Sequence, residues 1–106
     1  MPHKKELTND KLASATDTEI TSVFKALSDV NRYRIFRLLA AHPKLAVSEV
    51  AETLNISLPL ASQHIKVLMH ANLLKKERAG KKVFTKLKRD NPFVLAINKT
   101  IHQILK

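Results

Sequence analysis

The chain has 106 residues, of which 44% are hydrophobic, so it predicts one domain with a small core. It has no cysteine, which excludes disulfides, thiolate metal sites and thiol redox switches. The formal net charge is +10, and the run from Lys75 to Arg89 holds eight basic residues against one acid, Glu77. Such clustering favours a polyanionic partner, and the alternative is a solubilising surface.

The start of the chain is polar and weakly patterned. We expect a flexible N-terminus at 1–15 and a single domain at 16–106. No stretch has the length and apolarity of a membrane span, and the first residues lack the apolar segment of a secretory signal. The expected compartment is therefore the cytoplasm, with no membrane partner.

Two helices are expected at the start of this domain. A capping box formed by Thr16 and Glu19 begins the first helix. Its apolar positions repeat at helical spacing and are Ile20, Val23, Phe24 and Leu27. The second helix runs from about Val30 to Ala41 after the cap Ser28-Asp29, and its wide apolar arc predicts a central position.

The stretch from Val47 to Leu74 predicts a helix-turn-helix. Asn55 tolerates the left-handed conformation that ends the first short helix, and Ser57 caps the second, with Pro59 in its first turn. The core positions of the two helices are Val50, Ala51, Leu54, Ala61, Ile65 and Leu68. The second helix of such a motif usually lies in the DNA major groove.

A hairpin and a last helix complete the chain. The runs from Leu73 to Arg78 and from Lys82 to Leu87 predict two strands, joined at Gly80, where a tight turn needs a positive φ. Asn91 and Pro92 then open a helix. The predicted fold is mainly α (α+β): a winged helix-turn-helix with a two-stranded hairpin wing and an extra helix at each end, in the order ααααββα.

The two terminal helices carry more apolar surface than a minimal winged helix can bury. They predict a homodimer interface, and the alternative is packing within one chain. The residues assigned to this interface are Ile20, Val23, Phe24, Leu27, Phe93, Val94, Ile97, Ile101, Ile104 and Leu105. A two-fold dimer would match two DNA half-sites about one helical turn apart.

Several motifs between Phe24 and Leu87 together resemble one family. They are Ala26-Leu27-Ser28-Asp29 with Arg32 and Arg34-Ile35, then Val47 to Leu54, Ser62 to Leu68 and the wing around Gly80. With these motifs the chain resembles the ArsR/SmtB-type bacterial repressors. The resemblance implies a homodimeric repressor that binds an operator near its own gene and is released by a signal.

The usual metal sites of that family are not matched. Ala46 and Ser48 stand where many metal-sensing members carry cysteines, while Pro92 and Leu105 stand where zinc-binding members carry last-helix ligands. We therefore expect no metal and no cofactor, although two copies of His102 would lie near each other in a symmetric dimer. The inducer, if there is one, would be a small molecule between the terminal helices or a partner protein.

The candidates for DNA recognition lie on two elements. On the second motif helix they are Ser57, Leu58, Pro59, Leu60, Ser62, Gln63, His64 and Lys66. Gln63 can contact adenine in bidentate fashion, and the resemblance supports Ser62, Gln63 and His64 in particular. On the wing the candidates for phosphate or minor-groove contact are Lys75, Lys76, Arg78, Lys81 and Lys82.

The sequence does not predict an enzyme, because it lacks a glycine-rich loop, a thiol and a pair of carboxylates in an apolar context. The predicted function is a homodimeric DNA-binding transcriptional regulator, most simply a repressor of a palindromic operator. The alternative is a winged-helix module that binds another protein through Leu58-Pro59-Leu60 and binds nucleic acid without specificity. A large specificity ratio for one duplex would separate the two.

Overall fold

The computed structural model describes residues 15–106. The predicted flexible segment 1–15 lies outside them except for Ala15, which is the first residue of a helix. The elements in chain order are α1 (Ala15–Leu27), α2 (Val30–Ala41), β1 (Leu45–Ala46), α3 (Val47–Leu54), α4 (Leu58–His70), β2 (Leu74–Ala79), β3 (Lys82–Leu87) and α5 (Pro92–Leu105). This is the predicted winged helix-turn-helix, with one strand more than expected.

The additional strand is β1, which makes the sheet three-stranded with the order β1-β3-β2. It pairs antiparallel with β3 through Leu45 opposite Thr85 and Ala46 opposite Phe84. The buried hydroxyl of Thr85 also donates to the Leu45 carbonyl at 2.9 Å. A two-residue strand is too short to show an alternating pattern, which is why the sequence predicted only the hairpin.

The core is arranged around α2, as its wide apolar arc predicted. Ile35, Phe36 and Leu39 of α2 are fully buried, together with Ile65 of α4 and Leu87 of β3. Burial of each such side chain contributes about 1.5–3 kcal/mol to folding. The packing fixes the helix-turn-helix and the wing on one common core.

The predicted helix ends are largely confirmed. The Asp29 carboxylate accepts hydrogen bonds from two backbone amides at the start of α2, and the Asn91 side chain does the same for one amide at the start of α5. Asn55 and Gly80 adopt the left-handed conformation expected of them. Thr16, the predicted cap of α1, lies within the helix, which includes Ala15 before it.

The terminal helices are partly buried within the chain. Val23 and Val94, which were assigned to a dimer interface, are 3% and 0% exposed and belong to the core. Burial within their own chain removes both from the surface that a second copy could contact.

A groove of about 290 Å³ lies between α1 and α5, and it is lined by Phe24, Leu27, Ala96, Ile97, Thr100 and Ile101. Across residues 15–106, no helix combines the length and the apolarity needed to cross a membrane.

Candidate nucleic-acid interface

Helix α4 is held in place at its start and along its inner face. The backbone amide of Ile56 donates to the Ala51 carbonyl across the turn at 3.0 Å, and the Leu60 amide donates to Ser57 Oγ at 3.2 Å. Ala61 and Ile65 are buried against the core. Because one face of α4 is fixed inward, its opposite face is presented outward in a defined register.

Seven of the eight candidates at the start of this helix and along it are exposed. They are Ser57, Leu58, Pro59, Leu60, Ser62, Gln63 and Lys66. Leu58 is 52% exposed, so the first turn presents an apolar surface beside the polar one. Ser62 and Gln63 can donate and accept hydrogen bonds, and Lys66 adds a positive charge.

His64 is placed differently, because its side chain turns inward and is only 11% exposed. Its Nδ1 lies 3.3 Å from Arg32 Nη1, and its Nε2 lies 3.9 Å from Asp29 Oδ2. Arg32 Nε in turn donates to the Ala26 carbonyl at 2.7 Å. The structure therefore places His64 between α4 and the start of α2, whereas the other candidates of this group lie on the exposed face.

This contact between α2 and α4 was not predicted from the sequence. Ala26, Asp29, Arg32 and His64 all belong to motifs that carried the family resemblance, so their joint occurrence was an available signal. The backbone amide of Arg32 donates to Asp29 and lowers the pKa of its carboxyl, and the nearby charge of Arg32 acts in the same direction. Asp29 therefore stays ionised as an acceptor at the helix start.

The wing carries the other predicted contacts. Lys75, Lys76 and Arg78 of β2, with Lys81 and Lys82 at the tip, are all exposed. Lys76 lies opposite Thr85 and Lys75 opposite Lys86 in the β2–β3 pairing. Since successive strand residues face opposite sides, the basic side chains are presented on both faces of the wing.

Three other basic residues of the run are already bound within the protein. Lys86 Nζ lies 3.0 Å from Glu77, Lys88 Nζ donates to Asn72 at 2.6 Å, and Arg89 Nη2 lies 3.3 Å from the Leu39 and Ala40 carbonyls. The hydrogen bonds from Lys44 and Lys86 lower the pKa of Glu77 to about 2. Within residues 15–106, the five predicted wing cations have no such hydrogen bond or ion pair, so they remain available for phosphates.

Metal ligands are not gathered anywhere in the part of the chain that the structure describes. No three histidine, aspartate or glutamate side chains among these residues lie close enough to hold an ion. Ala46 lies at the start of α3, Pro92 begins α5, and His102 is exposed on the last turn of that helix.

Comparisons with known proteins agree with this geometry. The family model described as "Helix-turn-helix domain" matches residues 27–77. The cadmium resistance transcriptional regulatory protein CadC homolog of Staphylococcus aureus is 32% identical, over 87% of this chain and 76% of its own length. The transcriptional repressor SdpR of Bacillus subtilis is 35% identical, over 64% of this chain and 74% of its own.

Solved structures share the fold. The homodimeric winged helix-turn-helix DNA-binding domain of a possible ArsR-family transcriptional regulator from Mycobacterium bovis superimposes with a TM-score of 0.78 at 22% identity. The match covers 92% of this chain and 87% of that one. The transcriptional regulator HlyU of Vibrio vulnificus has a TM-score of 0.73 at 25% identity, over 93% of this chain and 97% of its own.

Proposed function

Because this chain belongs to the ArsR/SmtB family of winged-helix transcriptional regulators, we propose that it is a homodimeric repressor that reads a palindromic operator with α4. The observation that carries the proposal is the exposed polar face of α4 beside a wing whose five exposed cations form no hydrogen bond or ion pair with residues 15–106. A major-groove helix and a phosphate-binding wing are the two parts that specific duplex binding needs. The proposed role includes no catalytic activity.

Base recognition is assigned to α4. Gln63 is exposed and can make a bidentate contact with adenine, and Ser62 beside it can reach either a base edge or a phosphate. Leu58 and Leu60 project from the first turn and offer apolar contacts to thymine methyl groups. The expected operator therefore contains A·T pairs in the part of each half-site that faces α4.

Affinity for the phosphate backbone is assigned to the wing. Lys81 lies in the sharp turn that Gly80 allows, and Lys82 directly after it is the first residue of β3. Lysines of this kind displace condensed counterions from DNA, so binding should weaken steeply with salt. The tip is also the part of the wing that extends furthest and can reach the minor groove.

Dimerisation is assigned to the groove between α1 and α5. Phe24 is 65% exposed on one wall, and Ile97 and Ile101 line the other. Ile104 is 75% exposed near the end of α5 and extends the apolar surface. A symmetric dimer through this surface would present two copies of α4 to half-sites separated by about 34 Å.

Regulation is proposed to occur without the family's usual metal ligands. Ala46 and Ser48 have no thiolate, and Pro92 and Leu105 offer no ligand atom in their side chains. The effector would then be a small molecule or a protein, acting in the compartment that holds the operator, the cytoplasm.

A second function is favoured by one observation, the exposure of Leu58 and Leu60 in the first turn of α4. Two exposed leucines beside Pro59 form an apolar surface of the kind that binds another protein. In that case the wing would provide only non-specific affinity for nucleic acid.

Selection of bound sequences from a random duplex library at physiological salt tests the proposed function. The expected result is an enriched inverted repeat with half-sites about one turn apart. Gln63→Ala should lose its base preference at one position of each half-site. The control is Gln103→Ala, at an exposed position on α5, which should select the same duplex sequence as the wild-type protein. Binding without any enriched sequence would contradict site-specific regulation and favour the protein-binding module.

A further inference from the structure

A second cavity lies between the end of α2 and the last turns of α5, outside the candidate nucleic-acid interface. Its volume is about 460 Å³, which falls within the usual range for small-molecule sites. Its apolar lining comes from Ala40, Ala41, Ile101 and Leu105. Its polar lining includes Arg37, Asn98, Lys99 and His102.

The electrostatic environment of this cavity is positive. None of the described residues that line it is acidic, and the segments that form α2 and α5 contain no aspartate or glutamate. The backbone carbonyls at the end of α2 would ordinarily contribute negative potential, but Arg89 lies 3.3 Å from two of them. Two cationic side chains, Arg37 and Lys99, therefore lie beside an apolar surface, and no acidic side chain is among the described lining residues.

Arg37 is also partly oriented before any ligand arrives. Its guanidinium lies over the Tyr33 ring at 5.8 Å from the centroid. Stacking on an aromatic face restricts the side chain and leaves its N–H groups free to bind an anion. A planar guanidinium matches the geometry of a carboxylate, with which it forms two parallel hydrogen bonds.

We propose that this cavity binds a small organic anion, a carboxylate whose apolar body packs on Ala40, Ala41 and Ile101. The carboxylate pairs with Arg37 and Lys99. Both parts of such a ligand are needed, because the lining combines cationic and apolar groups. Inorganic phosphate provides the charge without the apolar body, and an alcohol provides the body without the charge.

A ligand bound in the cavity would also affect the packing of the dimer groove. Ile101 lines both the cavity and the groove between α1 and α5. Leu105 lines the cavity and lies on the α5 surface assigned to the dimer. The anion is therefore an effector that alters the dimer and its affinity for DNA, and this consequence rests on the proposed function.

Calorimetric titration of the full chain with octanoate tests the site without any DNA. We expect saturable binding of one octanoate per chain, at least about tenfold tighter than that of octanol, acetate or inorganic phosphate. Arg37→Gln should weaken octanoate binding about tenfold, since it removes a charge-assisted contact. Arg34→Gln makes the same charge change on the same helix outside the cavity, and its affinity should stay within about twofold of wild type.

Three results would overturn the site: no saturable octanoate binding, octanol binding as tightly as octanoate, or an equal loss in the two arginine variants. The effector role is tested by measuring duplex affinity with and without saturating octanoate. A change in the wild type that is absent in Arg37→Gln supports it, and an unchanged affinity despite bound octanoate overturns it. Duplex binding without octanoate reports separately on the proposed function, so the two failures are distinguishable.

Discussion

The tip of the wing offers a direct test of the electrostatic part of DNA binding. Lys81 and Lys82 are exposed and, within the described part of the chain, unpaired, whereas Lys86 and Lys88 are held by Glu77 and Asn72. The double variant Lys81→Ala/Lys82→Ala therefore removes two cations that are free to contact phosphates. It should weaken binding to every duplex to the same degree, because phosphate contacts carry no sequence information.

The expected magnitude follows from counterion release. Each lost phosphate contact flattens the slope of log K against log salt by about 0.9, so two contacts account for about 1.8 per protomer. In the proposed homodimer four such contacts are lost, so the measured slope changes by about 3.6. Between 50 and 200 mM salt this corresponds to about a 150-fold smaller loss of affinity in the variant.

Fluorescence anisotropy with a labelled duplex, repeated at several salt concentrations, measures this slope. The matched control is Lys25→Ala/Arg34→Ala, which removes the same charge from exposed positions on α1 and α2, outside the wing and outside the cavity. Its slope should equal that of the wild type. Equal flattening in both variants would show that only net charge matters, and an unchanged slope in the wing variant would refute the assignment of phosphate contacts to the tip.

Three further predictions concern stability and assembly. The Glu77 pKa is lowered from 4.5 to about 2, so its stabilising effect is present above about pH 4.5 and is lost as the pH falls towards 2. The thermal midpoint should therefore fall less steeply in Glu77→Gln than in wild type over this window, and parallel curves would contradict the ion pairs. Urea denaturation should show that Arg32→Ala lowers the free energy of unfolding by about 1–3 kcal/mol, because the contacts to Ala26 and His64 are lost. The control Arg34→Ala, at an exposed position, should change it by less than about 0.5 kcal/mol. Equal losses in the two variants would refute the role of the Arg32 contacts. Sedimentation equilibrium should show that Phe24→Asp is monomeric, because it places a charge in the groove. Val30 is 58% exposed but lies outside the groove, so Val30→Asp should remain dimeric. A dimeric Phe24→Asp would show that the groove is not the dimer interface.

The order of helices and the wing could be predicted because their signals are local. Asp29, Ser57 and Asn91 mark helix starts through side-chain capping, and Asn55 and Gly80 mark backbone positions with positive φ. The apolar period of α4 also separates its buried face from its exposed one. These features need no knowledge of distant parts of the chain.

Features that depend on contacts distant in sequence could not be predicted in the same way. A helical wheel places His64 on the exposed side of α4, yet its side chain turns inward and contacts Arg32 of α2. Val23 and Val94 share an apolar pattern with the groove residues, and only the packing of the terminal helices shows that they are buried. The pairing of Lys86 with Glu77 follows from the register of β2 and β3, which could not be inferred from the sequence.

The wing illustrates why this difference matters for function. Eight basic residues between Lys75 and Arg89 are equivalent in a sequence count. The structure separates five exposed, unpaired cations from three that hold the fold together, within the residues described. The five coincide with those selected from their place on the wing.

The most direct test of site-specific recognition is the ratio of affinities for the selected operator duplex and for a scrambled duplex of the same length and composition. Measured by anisotropy at physiological salt, the ratio should be at least about 10³, as for specific regulators. Gln63→Ala should lower it by about 10- to 100-fold while leaving the affinity for the scrambled duplex unchanged. A wild-type ratio near one would contradict the account, because the exposed face of α4 would then not read DNA sequence.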